Sequence, residues 1–131
     1  MAGRTVVLDD TLLVLVVEDD QVIQSVIEEA LSDGGFELSI AASGEEALAL
    51  LRGTNSRHRA LVTDISLAGE VDGWEVAKCA REIDAAFPVI YITGANADQW
   101  TIKGVPNSLL IVKPFAPAQL VTAVSQLLNA T

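Results

Sequence analysis

Five side chains in this sequence could do chemistry together: Glu18, Asp19, Asp64, Thr93 and Lys113. Three carboxylates held close repel one another, which raises their pKa values unless a cation neutralises them. An oxygen-only set of that kind suits a hard cation, Mg²⁺ or Mn²⁺, completed by backbone oxygen, water and a phosphate. A carboxylate beside such a metal can attack a phosphoryl group, while the metal and an ammonium stabilise charge on the transferring oxygens. A neighbouring hydroxyl can bond the new phosphate. Asp64 is the candidate acceptor. It closes the apolar run Ala60-Leu61-Val62-Thr63 and precedes a loop that holds Gly69, Asp72 and Gly73. Singly, these residues say little, because acids after strands are common solvated loop residues and a Lys-Pro pair is often a turn. Their joint placement carries the reading.

That placement follows from the elements. Thr11 to Val17 is a continuous β-branched and leucine run, the pattern of a strand buried on both faces, and Glu18-Asp19-Asp20 ends it. Val22, Ile23, Val26, Ile27, Ala30 and Leu31 then recur at helical spacing until Gly34-Gly35. Phe36 to Ala41 reads as a second strand. Ser43 and Glu46 form a capping-box signature ahead of a helix with Ala47, Leu48, Leu50 and Leu51 inward. Residues 53–59 read as a solvated loop, and its His58 has no nameable catalytic partner. After the Ala60–Thr63 strand, Trp74 to Ile83 is a helix with Val76, Ala77, Ala80 and Ile83 inward and Cys79 near that face. Val89 to Ile92 is a fourth strand ending at Thr93-Gly94. Asn96 to Lys103 is a short helix whose only large apolar residues are Trp100 and Ile102, which makes it the weakest element. Turn residues 104–108 lead to a fifth strand, Leu109 to Val112, then Lys113-Pro114-Phe115 and a last helix from Pro117 to Leu128.

Strand and helix therefore alternate five times. The spacing predicts an α/β fold, a doubly wound five-stranded parallel sheet covered by helices through right-handed crossovers. In such a sheet the C-terminal strand ends share one edge, where ligands bind. Glu18 and Asp19, Asp64, Thr93 and Lys113 all fall there. Val6-Val7-Leu8-Asp9-Asp10 imitates a strand with terminal acids, but no helix follows it, so residues 1–10 read as an extension and residues 11–131 as the domain.

Composition narrows the function classes. The chain has 131 residues, half of them hydrophobic, which suits one domain. Its formal charge of −10 argues against nucleic acid or an anionic membrane surface as partner. Cys79 is the only cysteine, which excludes an intrachain disulfide and a cysteine-rich metal site. Residues 18–25 contain no glycine, which argues against a dinucleotide fold or a P-loop. No export signal or membrane segment is legible, so the cytoplasm is the expected compartment. Trp74 and Trp100 are candidate partner anchors, with core packing favoured for Trp74.

Val-Val-Glu-Asp-Asp at 16–20, Thr-Asp-Ile-Ser-Leu at 63–67 with Asp72-Gly73, Ile-Thr-Gly at 92–94 and Lys-Pro-Phe at 113–115 resemble the receiver domain of two-component response regulators. The resemblance spans about residues 11–129. It implies a flavodoxin-like (βα)5 sheet in the order 2-1-3-4-5. It makes Asp64 the phosphorylated residue, Asp19 a direct Mg²⁺ ligand, Glu18 a ligand mainly through water, and the Ser66 carbonyl the remaining protein ligand. It makes Thr93 the switch hydroxyl and Lys113 the partner of acid and phosphoryl group, with a cis Lys113-Pro114 peptide. It implies a histidine kinase or histidine phosphotransfer protein as donor. A downstream protein, or a second copy of the chain, would meet the face of helix four, strand five and helix five.

The role this resemblance implies is a signalling phosphoacceptor that assists its own phosphorylation and dephosphorylation, not an enzyme with a separate substrate. The segments 104–108 and 113–117 resemble single-domain regulators of α-proteobacteria, and a stand-alone receiver is the expectation. The sequence departs from the family where the loop after Asp64 is longer and lacks its common proline, and where the aromatic switch position is Leu110. Two alternatives therefore stand beside the switch: a phosphate relay or sink with no output of its own, and a receiver fold used as a phosphorylation-independent interaction module.

Overall fold

The computed structural model describes residues 12–53 and 56–129. The expected extension at 1–10, the strand residue Thr11 and part of the 53–59 loop lie outside the described residues. Five strands form one parallel sheet: β1 Leu13–Val17, β2 Glu37–Ala41, β3 Ala60–Asp64, β4 Val89–Thr93 and β5 Leu109–Val112, in the order β2-β1-β3-β4-β5. The helices are α1 Gln21–Asp33, α2 Gly44–Arg52, α3 Gly73–Ile83, a short α4 Trp100–Lys103 and α5 Pro117–Leu128. This is the doubly wound flavodoxin-like order expected from the sequence, and the Lys113-Pro114 peptide is cis.

Strand alternation divides the core in two. Leu15, Val17, Leu61, Val89 and Tyr91 face α2 and α3, and meet Ala47, Leu51, Trp74 and Ala77. Val14, Val16, Val62, Ile90 and Ile92 face α1 and α5, and meet Ile27, Leu31, Leu120 and Val124. Both faces are covered, so the central strands β1, β3 and β4 carry no polar stripe. Trp74 is a core residue, its ring centroid 4.9 Å from that of Tyr91 at 55°.

Local chemistry starts the helices. Asp20 caps α1 by accepting from Val22 N and Ile23 N, Ser43 caps α2 through Glu46 N, and Asp72 caps α3 through Glu75 N. In α2 the return half of the expected capping box reaches one residue too far: the Glu46 carboxylate accepts from Ala42 N at 3.3 Å.

The apolar stripes are narrower than the spacing predicts. On α1 only Ile27, Ala30 and Leu31 are buried, and Val22 is 73% exposed. Leu50 and Ile83, expected inward, lie exposed because α2 and α3 each turn only one narrow side to the sheet. The segment predicted as one helix from Asn96 is a 3₁₀ turn, Ala97–Gln99, followed by one turn of α4. Trp100 is half-buried, but Ile102 is 85% exposed and adds nothing to the packing. His58, read as solvated, is half-buried, with Nε2 3.1 Å from Ser39 Oγ and Nδ1 3.0 Å from Ser56 Oγ.

One glycine fixes how α3 leaves the site. A Cβ on Gly73 would stand 2.2 Å from the Asp64 carbonyl oxygen and 2.8 Å from Ile65 Cα, so the helix start lies directly against the strand end. Gly73 N also donates to Ile65 O at 2.9 Å. Backbone cannot yield as a flexible side chain can. Gly73→Ala is therefore expected to lower unfolding free energy by roughly 2–3 kcal/mol in urea denaturation. Gly53→Ala, whose new Cβ would meet nothing nearer than 3.4 Å, should change it by under about 1 kcal/mol.

Candidate functional site

Register assembles the site. Val17 pairs with Thr63, Asp64 with Ile92, and Thr93 with Val112. The next residues out, Glu18 and Lys113, are anchored by Glu18 N to Ala41 O at 3.1 Å and Lys113 N to Thr93 O at 2.8 Å. Four neighbouring strands thus end at one level and deliver their terminal side chains to one edge.

The acids meet there. One oxygen each from Glu18, Asp19 and Asp64 lies within 4.8 Å of the others. Lys113 Nζ donates to Asp64 Oδ2 at 3.0 Å and stands 3.4 Å from Glu18 Oε1. Glu18 and Asp64 are buried, Asp19 is exposed, and Lys113 spans the two environments. Glu18 Oε2 accepts from Asp20 N at 3.1 Å, whereas its Oε1 is buried without a hydrogen bond. The main-chain carbonyl of Glu18 is held by Gln24 Nε2 at 2.6 Å.

Electrostatics follow from the geometry. Burial is the largest influence on Glu18 and pushes its carboxyl up to about 7; the Asp20 amide opposes this, the Asp64 charge adds to it, and Lys113 offsets part of it. Burial works to depress the Lys113 ammonium, but the bond to Asp64 and the charges of Asp64 and Glu18 outweigh it and hold the pKa above the usual lysine value.

Thr93 is buried at the same edge, and its Oγ1 accepts from Ala95 N at 3.2 Å and Asn96 N at 2.8 Å, closing the loop after β4. Ser66 lies exposed in the loop after Asp64, its hydroxyl accepting from Asn96 Nδ2 at 2.7 Å.

The donor set fits a divalent cation. Its atoms are carboxylate oxygens, one of them a buried oxygen lacking a hydrogen bond, and Asp19 opens the cluster to solvent. Glu18, Asp19 and Asp64 are the side chains that could hold it, with the Ser66 carbonyl in the adjoining loop.

Sequence reasoning missed three supporting residues: Gln24, Asn96 and Glu45. Glu45, on α2, accepts from Glu70 N at 3.0 Å and so pins the long loop after Asp64. Hydrogen bonds from the Glu70 amide first, then from its own amide and that of Val71, hold its carboxyl below the usual value. No pattern within the sequence marks a contact 25 residues away.

Comparison with known proteins agrees with this fold. The response regulator receiver domain family matches residues 14–125. A response regulator receiver protein from Sinorhizobium medicae, known by crystal structure, is 41% identical, with a TM-score of 0.89 over 92% of this chain and 97% of that one. The transcriptional regulatory protein AfsQ1 of Streptomyces coelicolor is 36% identical over 102 residues, 76% of this chain and 44% of that protein. The transcriptional regulatory protein PrrA of Mycobacterium leprae is 35% identical over 118 residues, 88% of this chain and 49% of that protein. The chain spans about half the length of these two curated relatives.

A raised carboxyl pKa makes stability fall with pH. Between 4.5 and about 7 the folded state holds the Glu18 proton while the unfolded state has released it, so rising pH favours unfolding. His58, depressed by burial, acts the other way as pH rises toward its unfolded value, so total stability mixes the two. Glu18→Gln isolates the first. Without divalent cation, wild type is expected to lose roughly 3 kcal/mol relative to Glu18→Gln between pH 4.5 and 8, by urea denaturation at each pH. Millimolar Mg²⁺ should restore most of that loss in wild type and little in the variant.

Proposed function

The chain belongs to the response regulator receiver domain family, and on that premise we propose that Asp64 accepts a phosphoryl group from a histidine kinase or histidine phosphotransfer protein and thereby changes what the chain binds. Receiver domains are signalling domains of two-component systems, and they bind Mg²⁺ through acidic residues. The observation that carries the reading is the contact of Asp64 with Lys113 at 3.0 Å inside a cluster of three carboxylates. A buried structural aspartate would need only the ion pair.

In this mechanism Glu18, Asp19, Asp64 and the Ser66 carbonyl would hold Mg²⁺, which when bound would offset negative charge on the phosphoryl oxygens. An oxygen of Asp64 attacks phosphorus, and the donor histidine nitrogen leaves. Lys113 keeps its proton throughout, turning its ammonium from the aspartate toward the phosphoryl oxygens. Thr93 has a hydroxyl hydrogen to donate to the same group while its oxygen still accepts from the loop amides. The reaction belongs in the cytoplasm, where such donors act; among the described residues no helix is long and apolar enough to cross a membrane.

The donor has a surface to approach. Ile23, Val26, Lys113, Pro114 and Phe115 line an open groove of about 340 Å³ beside the acid cluster, and Val22 stands exposed on the same helix. An apolar rim next to a charged centre suits a protein donor better than a small ionic one.

One observation favours a second reading, a relay that hands the phosphoryl group onward without an output state. Leu110 occupies the place where the family carries an aromatic and packs into the core with no polar group to report on Thr93. In that reading phosphorylation leaves partner binding unchanged and the group returns rapidly to a histidine protein.

Incubation with Mg²⁺ and a small phosphodonor such as acetyl phosphate is expected to add one phosphoryl group by intact mass. The adduct should be absent in Asp64→Asn and after chelation. Its survival in Asp64→Asn would sink the assignment. Val22→Glu, at an exposed site, should slow transfer from a phosphohistidine protein about ten-fold or more while leaving the acetyl phosphate reaction within about two-fold.

A further inference from the structure

The loops after β3 and β4 are tied across the mouth of the acid site by one side-chain bond, Asn96 Nδ2 to Ser66 Oγ at 2.7 Å. The same residue gives its main-chain N–H to Thr93 Oγ1 at 2.8 Å. A continuous link therefore runs from Thr93 through Asn96 to Ser66 without touching an acid. Asn96 stands at the N-cap of the 3₁₀ turn Ala97–Gln99, yet its side chain makes no capping bond there. Asparagine at such a position normally turns its oxygen back to the following amides. Here the amide group reaches across to the other loop instead.

We propose that Asn96 is a positioning residue for the cation site, acting through Ser66. Its bond fixes the chain two residues after Asp64, so that the Ser66 carbonyl is held ready for Mg²⁺. The inference rests on the reading of that carbonyl as a ligand. It has a second consequence. Thr93, which is not a ligand, is coupled to cation affinity, because a change at its hydroxyl passes to Asn96 and then to Ser66. The converse also holds: coupling between two sites is reciprocal, so a bound cation favours one placement of Thr93.

The test is a double-mutant cycle read by calorimetric titration of Mg²⁺ into the metal-stripped, unphosphorylated full chain. Asn96→Ala and Ser66→Ala are each expected to weaken binding about three- to ten-fold, the worth of one partly exposed hydrogen bond. The double variant should be no weaker than either single, since the bond needs both ends. Ser66→Thr, which keeps the hydroxyl, should restore near wild-type affinity, and Thr93→Val should weaken it although no ligand is removed. Urea denaturation without Mg²⁺ should separate these exposed-loop variants by less than the titration does, which a merely structural role would reverse. Wild-type affinity in Asn96→Ala, or losses that simply add in the double variant, would overturn the proposal. The titration reads unphosphorylated protein, so its outcome is separate from whether Asp64 takes phosphate. Absence of Mg²⁺ binding by wild type would overturn both the ligand reading and this inference.

Discussion

Like charge at one sheet edge is the constraint on which this molecule depends. At separations near 5 Å and an effective dielectric of about 20, each pair of ionised carboxylates repels by roughly 3 kcal/mol. The cluster of Glu18, Asp19 and Asp64 holds three such pairs, and two of its members are withdrawn from water. One ammonium answers them. Lys113 arrives from β5, two strands from β3, and reaches Asp64 and Glu18 at once. The rest of the imbalance is met by the proton that Glu18 keeps up to about pH 7. A cation and a proton are thus alternatives at the same oxygens, and a phosphoryl group on Asp64 would replace one negative centre by a larger one that Lys113 must follow.

What lies beyond the site bears on how such a change could travel. Trp100 Nε1 donates to Ser108 Oγ at 3.0 Å, Ser108 donates to Val105 O at 2.6 Å, and Val105 N donates to the Tyr91 hydroxyl at 3.1 Å. Arg81 holds Phe87 O at 2.6 Å and the Pro106 carbonyl as well. The segment between α4 and β5 is therefore fastened from three elements. Leu110 packs beneath it beside Tyr91 on the paired strand. An apolar side chain there has no hydrogen bond to make or break. The main chain of the loop after β4 is held by Thr93 through two amides. Tyr91 is buried and anchored at its hydroxyl, so it is a poor substitute for a swinging ring.

The fold was legible because its central strands are apolar on both faces and its helices are separated by turn residues. The ends of the strands were legible for the same reason, and with them Asp64, Glu18, Thr93 and Lys113. The burial of individual helix residues was legible only in part: Ala47, Leu51, Val76, Ala77 and Ala80 lie inward as expected, but Leu50 and Ile83 do not. Val22 and Leu50 obey the helical period, yet a helix lying on a sheet hides only a stripe of itself, and the stripe's azimuth is set by the neighbour. The helix from Asn96 was overdrawn because propensity cannot register that Thr93 draws the first amides of that segment into its own loop. Asn96 and Glu45 were missed for a deeper reason. Each makes its telling contact with a residue far along the chain, Ser66 and Glu70 respectively, and pairings of that kind leave no periodic trace.

The loop after Asp64 gathers these threads. It runs from Ile65 to Asp72, and length in a loop costs little in closure entropy but much in definition. Definition is supplied from outside. Glu45 binds Glu70 N, and Asp19 Oδ2 accepts from Ala68 N at 2.9 Å. Asp72 caps α3, and Gly69 takes a φ of +97° that a side chain would resist. Asp19 is then both a candidate cation ligand and a clamp on the loop that bounds the site. A carboxylate has lone pairs for both, so a cation need not displace Ala68. Asp19 on one side and Glu45 on the other therefore hold the loop in place beside Asp64.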